Sequence, residues 1–257
     1  MSILLPTSAV SHGSPTPRPA ATFPRPRRDA AAFAKRLAQA GPRAIIAAAA
    51  RAMPGRLAVV SSFGTESAVL LKFVADVDPS LPILFLDTQW LFKETLAYRD
   101  ALVVHLRLTD VRTVTPSPSA LALRDPKRNL CFRDREACCG IRKVAPLANE
   151  LSAFDGWISG RKRYHGGERA TLVVAEADGP RIKFNPLARM TRAELNAAFA
   201  AAELPRHPLE ALGFSSVGCI PCTGRPAAGA SVRGGRWGGL AKTECGIHAG
   251  PLPPSAN

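Results

Sequence analysis

The sequence predicts an α/β protein, a parallel sheet flanked by helices. Short apolar runs alternate with amphipathic stretches from residue 57 onward. The stretches between runs are long enough for the crossovers that parallel neighbours require. With 257 residues and 46% hydrophobic content, one domain can bury a full core.

Residues 1–28 contain Pro, Ser, Thr, Ala and Arg but neither Asp nor Glu, and they bury too little to repay the entropy of ordering. They are expected to form a disordered arm. Asp29 to Met53 reads as helical, with Phe33, Leu37, Ile45 and Ile46 on an apolar face and Gly41-Pro42 as a break. Leu57–Ser61 is a strand, Ser67–Val77 a helix, Ile83–Leu86 a buried strand, Glu94–Leu108 a helix and Val111–Val114 a third strand. Residues 116–137 read as loop and short helix. Cys138–Leu151 reads as one helix and Trp157–Ser159 as a strand. Thr171–Ala175 and Ile182–Phe184 are expected to pair antiparallel through Asp178-Gly179-Pro180. Thr191 opens a helix to Ala202, with Glu194 three residues on as a capping box. No regular structure is read beyond Leu204. The α/β domain is therefore placed at 29–224, followed by a Gly-rich tail at 225–257.

Cysteine spacing is the strongest chemical signal. Cys138-Cys139 is followed, after 79 intervening residues, by Cys219-Ile220-Pro221-Cys222, and then by a lone Cys245. Adjacent α-carbons lie about 3.8 Å apart, below the usual disulfide span, so a bridge between Cys138 and Cys139 would be strained. Two such pairs suit a metal site. Zinc and an iron–sulfur cluster both accept four thiolates, and spacing does not choose between them.

The formal charge of +14 favours anionic partners, either a nucleotide or a nucleic acid. The basic residues cluster as Arg161-Lys162-Arg163 with Arg169, then as Arg225, Arg233, Arg236 and Lys242 with no acid before Glu244. No stretch approaches the length of a membrane span, and the first ten residues lack the form of an export signal, so a cytoplasmic protein is expected. A zinc-stabilised nucleic-acid module is a competing reading. It lacks finger-type Cys/His spacing, and aromatic content is only 6%.

Ser61-Ser62-Phe63-Gly64-Thr65-Glu66-Ser67 stands where a strand ends and a helix begins, so its hydroxyls and backbone N–H groups can face an anion. Leu86-Asp87-Thr88 closes the next strand on the same edge. Ser62, Gly64, Asp87 and Thr88 are thus candidate ligand contacts.

These segments together resemble the assimilatory adenylyl-sulfate reductases, relatives of the phosphoadenylyl-sulfate reductases. The resemblance rests on Ser61–Ser67, Leu86–Thr88 with Phe92 and Glu94-Thr95, Cys138–Lys143, Ser159-Gly160-Arg161-Lys162-Arg163, Cys219–Thr223 and Lys242–His248. It implies an adenine-nucleotide α-hydrolase-like fold related to the ATP pyrophosphatases. Phe63 stands where those relatives carry a Gly-rich loop, and its bulk is expected to crowd a pyrophosphate.

The resemblance further implies that Cys245 attacks the sulfur of adenylyl sulfate and that thioredoxin or a similar dithiol then releases sulfite. Lys242, Arg233, Arg236 and His248 are expected to favour its thiolate. Cys138, Cys139, Cys219 and Cys222 would hold a four-iron four-sulfur cluster, with Lys143 bridging cluster and sulfate. Arg142, Gly160, Arg161, Arg163, Arg169, Arg233 and Arg236 would contact substrate. Phosphoadenylyl sulfate, or dual use, is the nearest alternative, and tRNA sulfur transfer a more distant one. No thioredoxin-like domain follows residue 257, so a separate reductant is expected.

Cys131 falls outside every motif. His105, His165 and His207 have no ligand spacing and are expected to pack or cap. Trp237 could cover the site or anchor the tail. Gly234-Gly235 and Gly238-Gly239 suggest a lid carrying Cys245. Gln89-Trp90, Lys93 and Arg189-Met190 depart from the family pattern and bear on substrate positioning.

Overall fold

The computed structural model describes residues 26–239 and 244–248. Six strands form one sheet in the order β3-β2-β1-β4-β6-β5. These are β1 (Leu57–Ser61), β2 (Ile83–Leu86), β3 (Val111–Val114), β4 (Gly156–Ser159), β5 (Ala175–Asp178) and β6 (Arg181–Phe184). All neighbours are parallel except β5 and β6. The antiparallel hairpin expected here is present, but it is shorter and later than the sequence pattern suggested. Asp178 pairs Arg181 across a two-residue turn, and Gly179 takes a φ of 58° at its first position. Thr171–Val174 instead belongs to the preceding loop, where the Arg163 Nε donates to the Leu172 carbonyl at 2.7 Å.

Period-two burial sorts the strands onto two apolar layers. Leu57 and Val59 of β1 pack with the larger cluster, which includes Phe33, Ile46, Leu71, Phe85, Leu102 and Phe184. That side is covered by α1 (Pro26–Arg36), α2 (Pro42–Ala52), α3 (Ser67–Val77), α4 (Lys93–Leu106) and, later in the chain, the helix Arg192–Ala201. Helix α1 begins at Pro26, inside the stretch expected to be a disordered arm; residues 1–25 lie outside the described residues. Ala58 and Val60 face the opposite layer, with Leu147, Leu151, Phe154 and Trp157.

Two short helices, α5 (Pro118–Arg124) and α6 (Leu130–Arg133), lead to the thiol-bearing segment. The expected helix at Cys138–Leu151 starts earlier and is not uniform. It comprises α7 (Arg135–Cys139), a π turn over Gly140–Val144 and α8 (Ala145–Leu151), joined without leaving right-handed helical dihedrals. The helix Arg192–Ala201, α9, has the reciprocal capping box: Thr191 Oγ1 accepts from Glu194 N at 3.2 Å, and Thr191 N donates to the Glu194 carboxylate at 2.7 Å.

The chain adds β2 and β3 on one side of β1, then returns to place β4 on the other. The carboxyl ends of β1 and β4 therefore flank the point where strand order reverses, the crevice in which open α/β sheets bind ligands.

Candidate active site

A cavity of ≈ 190 Å³ opens at that crevice. The end of β1 contributes Ser62, Gly64 and Glu66, and the end of β4 contributes Gly160, Arg161 and Lys162. Thr88 follows β2. Lys143 enters from the π turn, and Arg233, Arg236 and Cys245 close the cavity from the C-terminal part of the chain.

Three residues expected at the ligand do not line this cavity. Arg142 is only 2% exposed, and its guanidinium donates to the Thr88 carbonyl at 3.0 Å and to Asp125 Oδ2 at 2.7 Å, so it braces the wall from behind. Asp87 receives the backbone N–H of Gln89 at 2.8 Å, fixing the turn after β2. Arg163 is exposed and bound to the Leu172 carbonyl, because two residues beyond Arg161 the chain enters a tight 3-10 turn that faces outward.

Phe63 also differs from expectation. Its backbone has a φ of 47°, and its ring is fully buried, packed edge-on against Phe85 at 5.3 Å. The bulk sits in the core and does not crowd an anion. Ser61 Oγ stabilises this turn by accepting the Phe63 N–H at 3.2 Å.

Sequence reasoning missed the network around Glu66. Its carboxylate accepts from Lys162 Nζ at 2.7 Å, Tyr164 Oη at 2.6 Å and the His165 ring at 2.9 Å. Burial opposes its charge, but the His165 and Lys162 contacts overcome that penalty and hold Glu66 well below the usual carboxylate range. Arg169 has only donors and reaches His165 Nδ1 at 2.9 Å, so His165 Nε2 carries the proton given to Glu66. Burial, with Lys162 and Arg169 nearby, lowers the His165 pKa and keeps the ring neutral, more than a packing group. Arg169 also forms a two-pronged pair with Glu244, one arm at 2.8 Å. The network thus runs from the β1 turn to the residue beside Cys245.

The C-terminal part is docked. Ile247 joins the apolar layer under β1 and β2, and His248 stacks on Trp157 at 5.8 Å. Burial and the cations Lys183, Arg161, Arg169 and Arg233 push His248 well below its ordinary pKa. It therefore meets Cys245 as a neutral imidazole, not as the activating cation expected. Arg233 and Arg236 do share the cavity with Cys245, whereas Lys242 lies outside the described residues.

Of the glycines expected to form a hinge, Gly234 and Gly235 stand in close packing. A Cβ on Gly235 would lie 2.0 Å from the Gly224 carbonyl oxygen, whose own N–H binds the Gly235 carbonyl at 2.7 Å. Gly218, which no motif marked, accommodates Arg236: a Cβ there would stand 2.3 Å from the guanidinium. Trp237 is 3% exposed and packs with Cys219 and Cys222.

Behind the cavity, Cys138, Cys139, Cys219 and Cys222 line a second pocket with Trp90, Arg135, Arg142 and Cys131. Lys143 and Trp237 belong to both pockets and form the wall between them. Burial opposes ionisation of Cys219, but Lys143, Thr88 and Arg236 outweigh it, so its pKa falls. The Thr88 hydroxyl lies 3.2 Å from that sulfur. Burial also opposes charge on Lys143, and the sulfurs of Cys219, Cys245 and Cys139 overcome it and raise its pKa. Burial and Cys139 push Cys138 up to about 12.

This donor set fits an iron–sulfur cluster. None of the four thiols is in a disulfide, and the cations Arg135, Arg142 and Lys143 line the same pocket. Trp90 Nε1, Arg135 Nε and Arg142 Nε are buried there without hydrogen-bond partners, as donors to cluster sulfur would be in its absence.

A sheet of this order with a cation-lined crevice at the strand reversal is a ligand-binding α/β architecture. The phosphoadenosine phosphosulfate reductase domain matches residues 56–225. An adenosine 5′-phosphosulfate reductase of Chelativorans sp. is 49% identical over 203 residues, covering 79% of this chain and 83% of that protein. A phosphoadenosine 5′-phosphosulfate reductase of Gloeobacter violaceus is 38% identical, covering 81% and 88%. The fold is shared with the solved phosphoadenylyl-sulfate reductase of Candida auris, at a TM-score of 0.63 and 21% identity, covering 75% of this chain and 95% of that one. The chain belongs to the adenylyl-sulfate and phosphoadenylyl-sulfate reductase family.

Proposed function

We propose that the chain reduces adenylyl sulfate to sulfite and AMP, with Cys245 as nucleophile and a thioredoxin-type dithiol as reductant. One observation carries the assignment: Cys245 shares a cavity with Lys143, Arg161, Arg169, Arg233 and Arg236 at the strand-reversal crevice. The substrate's phosphosulfate is an anion of the size and charge that such guanidinium forks and an ammonium can hold.

The Cys245 thiolate forms a bond to sulfur as the bridging S–O bond breaks, and AMP departs with the electron pair. Arg233, Arg236 and Lys143 neutralise charge on the oxygens, in a site already fixed by the Glu66 network. Neutral His248 lies beside the reacting sulfur without adding charge. A dithiol then attacks Cys245 Sγ, sulfite leaves, and the second thiol of that reductant closes the disulfide and regenerates Cys245. The reductant supplies both electrons.

Cys138, Cys139, Cys219 and Cys222 would hold the four-iron cluster, with Thr88 and Lys143 against Cys219. When bound, the cluster supplies a compact negative charge that fixes Lys143 at the shared wall. Preference for adenylyl sulfate over its 3′-phosphorylated form follows the substrate in the name of the Chelativorans relative, and a cytoplasmic location follows the reducing conditions that free thiols require. Among the described residues no helix is long and apolar enough to cross a membrane.

Mass spectrometry of protein incubated with adenylyl sulfate and no reductant should find a sulfonate on Cys245, absent in Cys245→Ser. An unmodified Cys245 with adenylyl sulfate intact would overturn the assignment. Parallel assays with the 3′-phosphorylated substrate decide the preference.

A further inference from the structure

The pocket behind the active site contains a fifth sulfur that the proposed chemistry does not use. Cys131 is 1% exposed and lines the same pocket as Cys138, Cys139, Cys219 and Cys222. It lies on α6, which packs on both α7 and the turn Ile220–Cys222, the elements that bear Cys138-Cys139 and Cys222. Cys131 and Cys138 share one apolar cluster with Leu130. The same pocket contains the partnerless buried nitrogens of Trp90, Arg135 and Arg142, so its lining is built to receive a bound group and Cys131 is part of that lining.

We propose that Cys131 is a reserve ligand of the cluster and replaces Cys138 on its iron when that bond is lost. The inference rests on the cluster reading given above. The exchange would be a substitution without electron transfer: Cys131 Sγ would hold the iron that Cys138 Sγ releases, and the Cys131 proton would pass to the released thiolate. α6 needs no long-range movement, because its thiol already lies in the pocket wall. Cys139, Cys219 and Cys222 would remain the other ligands.

The test is anaerobic reconstitution with ferrous iron and sulfide, read as iron and labile sulfide per chain and as sulfur-to-iron charge-transfer absorption. Four proteins are compared: wild type, Cys131→Ser, Cys138→Ala and Cys131→Ser/Cys138→Ala. Wild type and Cys131→Ser should load equally. Cys138→Ala should retain at least about half the wild-type iron, and the double variant less than about a tenth, since three protein ligands remain. Equal loading of Cys138→Ala and the double variant, whether high or low, would overturn the reserve role. Failure of Cys131→Ser alone to load would also overturn it, by making Cys131 an obligatory ligand. Wild type that takes up zinc but no iron would instead refute the cluster reading. Should Cys138→Ala lose its far-ultraviolet circular dichroism, Cys138→Ser with and without Cys131 provides the same comparison.

Discussion

The two pockets on either side of Lys143 and Trp237 are built on opposite principles. In the front cavity the protein pairs most of its own charges: Glu66 has three donors, Arg169 is paired with Glu244, and Arg161 with Glu176, while Arg161 Nε and His248 Nδ1 are its buried nitrogens without partners. In the rear pocket, buried nitrogens lack partners and neither thiol pair is closed into a disulfide. A site satisfied mostly from within is preorganised before its ligand arrives, whereas a site with orphaned donors depends on a bound group for its order. The front cavity should therefore keep its shape without the metal, and the rear pocket should not.

Removing the metal tests that contrast most strongly. Iron-stripped protein should lose Cys245 sulfonation to background while AMP affinity changes by less than about threefold, since binding and metal occupy separate pockets. Isothermal titration with AMP, beside the sulfonation assay, checks both halves, and a parallel loss of AMP binding would erase the distinction. Glu66→Gln attacks the other side. It leaves Lys162 buried without its counter-charge, at a cost on the order of 3 kcal/mol, while iron content stays at the wild-type level. Denaturant unfolding and iron analysis of the variant measure the two outcomes.

The smallest effect lies outside both pockets. His207 is buried, accepts the Leu209 N–H at 3.2 Å and meets Thr95 Oγ1 at 3.1 Å. Burial lowers its pKa to about 4. Because the folded value is depressed, the unfolded chain takes up the proton first as pH falls below 6.5. Stability should therefore decline between pH 6.5 and about 4, and level off below. His207→Gln should flatten the denaturation midpoint across that window, and an unchanged slope would assign it to other groups.

The sheet and the thiol sets were legible because their signals are local: apolar runs for β1 and β2, and cysteines in pairs. Glu66 was not, since Lys162, Tyr164 and His165 lie 96, 98 and 99 residues away. The alternation that separates Arg161 from Arg163 depends on where a strand gives way to a 3-10 turn, which composition does not mark. Gly235 reads as freedom in a sequence and proves to be a contact too close for any side chain. Phe63 misled for a related reason: a left-handed φ turns its ring inward, and size alone says nothing about direction.

The π turn at Gly140–Val144 sets where Lys143 stands relative to Cys139. Such a turn contains one residue more than an α-helix needs, so deleting a single residue there would regularise the spiral, leave α8 nearly in phase and remove the bulge from which Lys143 projects. Cys138 and Cys139 would stay where they are while Lys143 rotated off the partition. That one-residue surplus is how a single helical segment presents sulfur to one chamber and an ammonium group to the other.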